Sequence, residues 1–203
     1  IQAVRSDIRW HSMIDKIKIG FEIENPTEFL CNGISDAVET QILEQLSANV
    51  HTYPDVLIDG LKNQDGARIL VMRAGLELLL ENPVGLDGSR DSYKKLIEKK
   101  CGHLPMYQFA HSHQGWIDIT LGIGLVGAMI FALVLIYFLT VGWIYMSNES
   151  VWSWAFLLFL ISLFWIFRGF FDSVYREHYL QMQSLLLGYL FFQIKLNSFS
   201  KKY

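Results

Sequence analysis

The chain has little of what a nucleic-acid-binding protein or an enzyme needs. No dense Lys/Arg tract occurs in its 203 residues, and the net charge is −3. Nucleic-acid affinity is dominated by phosphate neutralisation, so that class of partner is excluded from the reading. Cysteine is scarce, with only Cys31 and Cys101. Two cysteines make no disulfide framework; reduced thiols are the expectation, and one long-range disulfide is the alternative. Ser, His and Asp are present, but no strand–turn–helix setting distinguishes a nucleophile. The Arg5/His11 spacing occurs in helical ribonuclease modules, yet such a pair arises readily by chance. No catalytic residue is assigned, and the chain is expected not to be an enzyme.

Proline is confined to positions 26, 54, 83 and 105, all ahead of Trp116. Most charges also lie there, so the composition breaks near Gly115. Beyond it, residues 119–146 form a run of 28 without one charged side chain. A bilayer core of roughly 30 Å needs about 20 apolar helical residues. A single segment in lipid satisfies its backbone only as a helix. The run therefore predicts a membrane span at about 117–146. A second uncharged stretch, 151–167, ends at Arg168 and predicts another, over about 151–168.

The fold class expected is all-α. A small helical extramembrane domain (1–112) is followed by a two-helix transmembrane hairpin (113–168), then an amphipathic or interfacial helix and tail (169–203). Within the first part, helices are expected at 6–21, behind an Asp36/Glu39 capping box, at 67–81 and at 91–100. Residues 22–33, with Pro26 and Asn32-Gly33, read as loop. Residues 179–194 carry three glutamines in a 16-residue uncharged stretch, short for a span,. A third span is the alternative there. Lys94, Lys95, Lys99 and Lys100 before the first span, with Arg168 and Arg176 after the second, put both termini on the cytoplasmic or matrix side. The start at Ile1 fits removal of a targeting peptide, and with it a mitochondrial inner-membrane location.

Several constellations bear on packing and binding. Thr120, Gly124, Ala128 and Ala132 recur every fourth residue, a spacing that lets another helix approach closely. Gly122, Gly124 and Gly127 also spell a dinucleotide fingerprint, which is set aside because it lies within a span. Asp118 and Arg168 sit at same-side ends of the two spans and are expected to pair. Trp116 and Trp143 mark the two interfaces. They stand about 40 Å apart on an unbroken helix, so the first span is expected to tilt or project. Asn148-Glu149-Ser150 matches a glycosylation acceptor, but in a loop too short to leave the headgroups.

Cys101, His103, His111 and His113, with His178 returning to the same side, are weak metal candidates. Their separations match no standard zinc finger, and solvated histidines are the plainer reading. Neither span carries a central ionisable residue, which argues against a pump or proton channel. No cofactor beyond bound lipid is expected.

These features converge on a non-catalytic accessory subunit of a larger membrane complex. An energy-converting complex of the mitochondrial inner membrane is the specific expectation, with other membrane subunits and lipid as partners. A homo-oligomeric two-span pore with a soluble sensing domain is one alternative. A haem- or quinone-binding anchor, with His111 or His113 facing His178, is another.

Overall fold

The computed structural model describes residues 14, 17, 18, 20–33, 40, 65–175 and 177–200. The helix expected behind Asp36, most of that at 6–21, and Arg5 with His11 lie outside them. Six helices are assigned among the described residues: α1 (Pro26–Asn32), α2 (Asp65–Glu81), α3 (Ser92–Cys101), α4 (Gly115–Tyr145), α5 (Trp152–Arg168) and α6 (Glu177–Ser200). No strand occurs among the described residues. The all-α class is therefore what the chain adopts. It divides into two compact units, one of Ile1–Glu81 with Asp91–His113, the other of Asn82–Arg90 with Gln114–Tyr203.

In the first unit, α1 occupies a stretch read from the sequence as loop. Pro26 sits in its first turn, where a missing N–H costs nothing and the fixed φ suits a helix,. Gly33 then stops it at φ 78°. Phe29 and Leu30 of α1 are buried, as are Leu70, Val71, Ala74 and Leu78 of α2 and Tyr93, Leu96 and Ile97 of α3. The Tyr93 hydroxyl donates to the Val71 carbonyl at 3.2 Å, so the largest buried ring loses no hydrogen bond,. Arg73 reaches out of α2 to donate to the carbonyls of Gly20, Phe21 and Ile23 at 2.7–2.9 Å.

Cys31 and Cys101 form a disulfide across a Cα–Cα distance of 5.3 Å. The reduced thiols expected from the sequence are thus corrected. α1 and α3 pack side by side, and the last residue of α3 meets the α1 cysteine within bonding range. The segment after α3 follows the same seam: Met106 and Tyr107 N–H groups donate to Cys31 and Leu30 carbonyls at 3.1 and 3.2 Å.

In the second unit, α4 is the one described helix long and apolar enough to cross a membrane, while α5 is apolar but shorter. The α4 run is not one rod. Gly124 has φ 78° and ψ 168°, far from helical values, and divides it into 115–123 and 125–145. The Trp116 and Phe131 ring centroids lie only 6.0 Å apart. Fifteen residues along an unbroken helix would separate them by about 22 Å. The first piece therefore folds back beside the second, correcting the single straight span expected over 117–146.

α5 runs opposite to 125–145. Near one end Gly142 faces Ala155 and Phe159, and at the other Ile166 and Gly169 gather with Phe131 around Trp116. α6 runs along 125–145, with Phe138 near Phe191 at 5.7 Å and the Lys195 ammonium donating to the Tyr145 hydroxyl at 3.4 Å. Leu135, Leu158, Leu187, Leu190 and Ile194 close the core between the three.

Candidate functional site

A broken helix leaves carbonyls without N–H partners before the break and N–H groups without carbonyls after it. Loop 82–90 supplies both. Leu86 N–H donates to the Leu121 carbonyl at 3.0 Å, and Gly88 N–H to that of Gly122 at 2.9 Å. In the other direction, Leu125 N–H donates to the Pro83 carbonyl at 2.8 Å. Two crossing glycines make this approach feasible. Gly85 and Gly124 both have φ near 80°, and a methyl group on either would run into the backbone of the other segment,. Residues Asn82–Arg90 therefore go with the second unit.

Beside the break, Gln114 caps the helix by accepting from the Ile117 N–H. Asp118 accepts from the Ser173 hydroxyl. Tyr175 is the hub: its ring meets Trp116 at 4.9 Å and Phe131 at 5.0 Å, and its hydroxyl donates to the Trp165 carbonyl at 2.7 Å. Burial pushes its phenol well above the ordinary tyrosine range,. A cavity of about 280 Å³ opens here, lined by Ser89, Arg90, Asp118, Ile119, Phe131 and Leu180 among others. No protein family, curated protein or solved structure matches this chain. Its reading rests on its own geometry.

The residues singled out by sequence distribute unevenly over this site. Gly124 is the break itself, so Thr120, Ala128 and Ala132 do not line one helix face with it. Thr120 is buried and its hydroxyl donates back to the Trp116 carbonyl at 2.6 Å. Ala128 is buried and Ala132 half-buried. The close helix contact falls instead at Gly142, where an added Cβ would lie 2.7 Å from the Phe159 nitrogen and 2.9 Å from the Ala155 carbonyl oxygen. Asp118 and Arg168 take different partners from those expected: Ser173 for the carboxylate, Asp172 at 3.6 Å for the guanidinium. Trp116 donates to the Ile166 carbonyl at 3.3 Å, while Trp143 is exposed and packs on Phe159 at 5.6 Å.

Cys101 is consumed by the disulfide and leaves the metal candidates. His103 lies 3.1 Å from the Leu104 carbonyl and 3.3 Å from the Asn32 amide oxygen. His111 and His113 rings stand 4.2 Å apart, and His178 is exposed at the start of α6. Among the described residues, no three His, Cys, Asp or Glu side chains converge as metal ligands.

Two side chains that sequence reasoning passed over are Ser162 and Gln183. Both are buried, at 0% and 1% exposure, and neither finds a hydrogen-bond partner among the described protein groups. Around them the large apolar residues face outward: Leu133 is 64% exposed, Leu185 75% and Phe192 57%.

Proposed function

We propose that this chain is a membrane-embedded accessory subunit of a larger assembly, held by three helices rather than two. One observation carries the reading: the second unit buries two unpartnered polar side chains while many of its large apolar ones face outward. A helix bundle in water hides its leucines and shows its glutamines. This one keeps an apolar core but also encloses Ser162 and Gln183, and exposes large apolar side chains along 125–145, α5 and α6, such as Leu133, Leu160 and Leu185. Lipid is the solvent that suits such a surface. The lengths agree. Residues 125–145 give about 31 Å of helix and α6 about 36 Å, against a hydrocarbon core of roughly 30 Å. α5, at about 25 Å, pairs with 125–145 as a transmembrane hairpin and crosses a locally thinned bilayer.

The disulfide bears on the side of the membrane. Disulfides persist in oxidising compartments and are rare in reducing ones. The disulfide favours an oxidising side for the first unit, against the cytoplasmic or matrix side read from the lysines,. Counting α6 as a span also reduces the charge asymmetry without removing it, because Lys94, Lys95, Lys99 and Lys100 still precede the first span. Lys195, near the far end of α6, then lies on the side opposite Arg168. An inner-membrane energy-converting complex is one assembly compatible with these terms, provided this unit faces the intermembrane space.

Alkaline carbonate extraction followed by affinity purification in mild detergent tests the reading. Retention in the membrane pellet and co-purification with several different chains are expected. Release into the aqueous phase overturns the embedding. A particle containing only copies of this chain overturns the accessory role and leaves the homomeric pore.

A further inference from the structure

We propose that the second unit thins the bilayer on one side only, and that the lipids seated against α5 are phospholipids with short acyl chains. The proposal rests on the membrane reading above and specifies where the thinning falls.

The register of α5 against 125–145 carries the argument. At the loop end the two helices stand level: Gly142 faces Ala155 and Phe159, and Trp143 packs on Phe159. At the other end they finish at different heights. The Trp116 ring lies 6.0 Å from that of Phe131, and its N–H donates to the Ile166 carbonyl at 3.3 Å. Phe131 is therefore level with the last turn of α5. From Phe131 back to Leu125 the first helix runs on for six more residues, about 9 Å. Val126, Met129 and Ile130 keep that extension apolar and exposed. The outer surface of the unit thus has a step.

The low side of the step cannot lie in hydrocarbon. α5 ends at Arg168, whose guanidinium pairs with Asp172 at 3.6 Å and stays 5.7 Å from the Phe164 ring. The charge is held back along α5 and does not reach outward to water. Phe170, Phe171 and Asp172 follow as exposed, non-helical chain. Irregular backbone facing lipid is not tolerated in the bilayer core, so on this side the headgroups begin where α5 stops. The space that a longer α5 would fill is taken by 115–123. Its Gly115 N–H donates to the Gly169 carbonyl at 2.8 Å, and its Ile117, Ile119 and Leu121 are buried and offer lipid no surface. Only the intact helical surface of 125–131 continues the apolar face. A lipid beside α5 has less height to fill, and shorter chains match it at lower cost.

The test is label depth in the full chain reconstituted in phosphatidylcholine vesicles. Ile130 and Phe167 stand at matching heights on the two helices and are equally exposed, at 58% each. Nitroxides at Ile130→Cys and Phe167→Cys are compared for collision with a water-soluble nickel chelate. The label at Phe167→Cys should meet the chelate at least threefold more often, with helix content unchanged by circular dichroism. Equal depth of the two labels, whether deep or shallow, overturns the step. Lipid selection is read on the unaltered chain, its tryptophans quenched by brominated dioleoyl phosphatidylcholine. Dimyristoleoyl phosphatidylcholine should displace the quencher at least threefold more effectively than the long-chain dierucoyl lipid. A flat response, or one favouring the longer chains, overturns the short-chain occupant, and this measurement decides if a labelled variant fails to fold. Carbonate extraction of the same vesicles separates the two levels. Release of the chain sinks the membrane reading, whereas retention with equal label depths sinks only the one-sided thinning.

Discussion

The amide of Leu125 donates to the carbonyl of Pro83 at 2.8 Å, joining the first residue after a helix break to a loop that precedes the helix altogether. This bond and its neighbours from Leu86 and Gly88 replace the helical ladder that Gly124 interrupts. In lipid each such group left alone would cost several kcal/mol. The break therefore persists only with the loop in place.

Gly124→Ala is expected to destabilise the second unit by about 1–3 kcal/mol from backbone strain alone. The clash with the Val84 carbonyl adds to that. Gly85→Ala should behave alike, since its Cβ meets Gly124. Thermal unfolding in detergent checks both; a melting temperature unchanged in either variant would mean the two segments do not cross there.

Gly142 is the close contact between 125–145 and α5. Gly142→Leu should cost about 1–3 kcal/mol through overpacking against the Phe159 and Ala155 backbone,. Ala132→Leu, at a half-buried position of the sequence-derived ladder, should cost less. Comparing the two melts tells which residue holds the helices together.

Removing the disulfide by the double change Cys31→Ser and Cys101→Ser should lower the stability of the first unit. Its sequence separation of 70 residues gives about 4 kcal/mol in the chain-entropy account,. Mobility on non-reducing gels should also shift for the wild type on reduction and not for the variant. Two thiols that react with maleimide in the untreated, denatured protein would contradict the pairing.

Tyr175 sets a pH dependence. Its folded pKa lies above the ordinary value of 10.0 because its ring is buried,. Below pH 10 the phenol is neutral in both states and its contribution is intact. Above it the unfolded chain releases a proton that the folded chain keeps, so stability falls by about 1.4 kcal/mol per pH unit. Tyr175→Phe should remove one proton from that dependence between pH 10 and 11, at the cost of its hydrogen bond to the Trp165 carbonyl, about 1 kcal/mol,. Parallel slopes for the two proteins would show that another group is responsible.

The helices legible in the sequence are those whose signal is local. The uncharged run of α4 and α5, the apolar breadth of 67–81 and the charged pattern around α3 each lie within one element. What escaped was long-range. Pro26 looked like a loop residue because nothing nearby says that it opens a short helix pinned by Cys31. Gly124 looked like one more small residue, since glycine is common in membrane helices and no proline marks the turn. The loop that meets it, with Pro83, Gly85 and Gly88, lies far back in the chain, where no local pattern links the two. Gln183 is one of three glutamines in the α6 stretch, and nothing local marks it as the buried one. Its burial is set by which face α5 and 125–145 cover, and no local pattern encodes that.

Clipping α1 to α3 by sulfur has a practical corollary for anyone producing this protein. Material made in a reducing bacterial cytoplasm is expected to carry both thiols free, its first unit held by the apolar core without the crosslink,. The same chain routed through an export pathway carries the crosslink. Partner-capture and lipid-retention results from the two sources describe different molecules, and the choice of host settles which one is being studied.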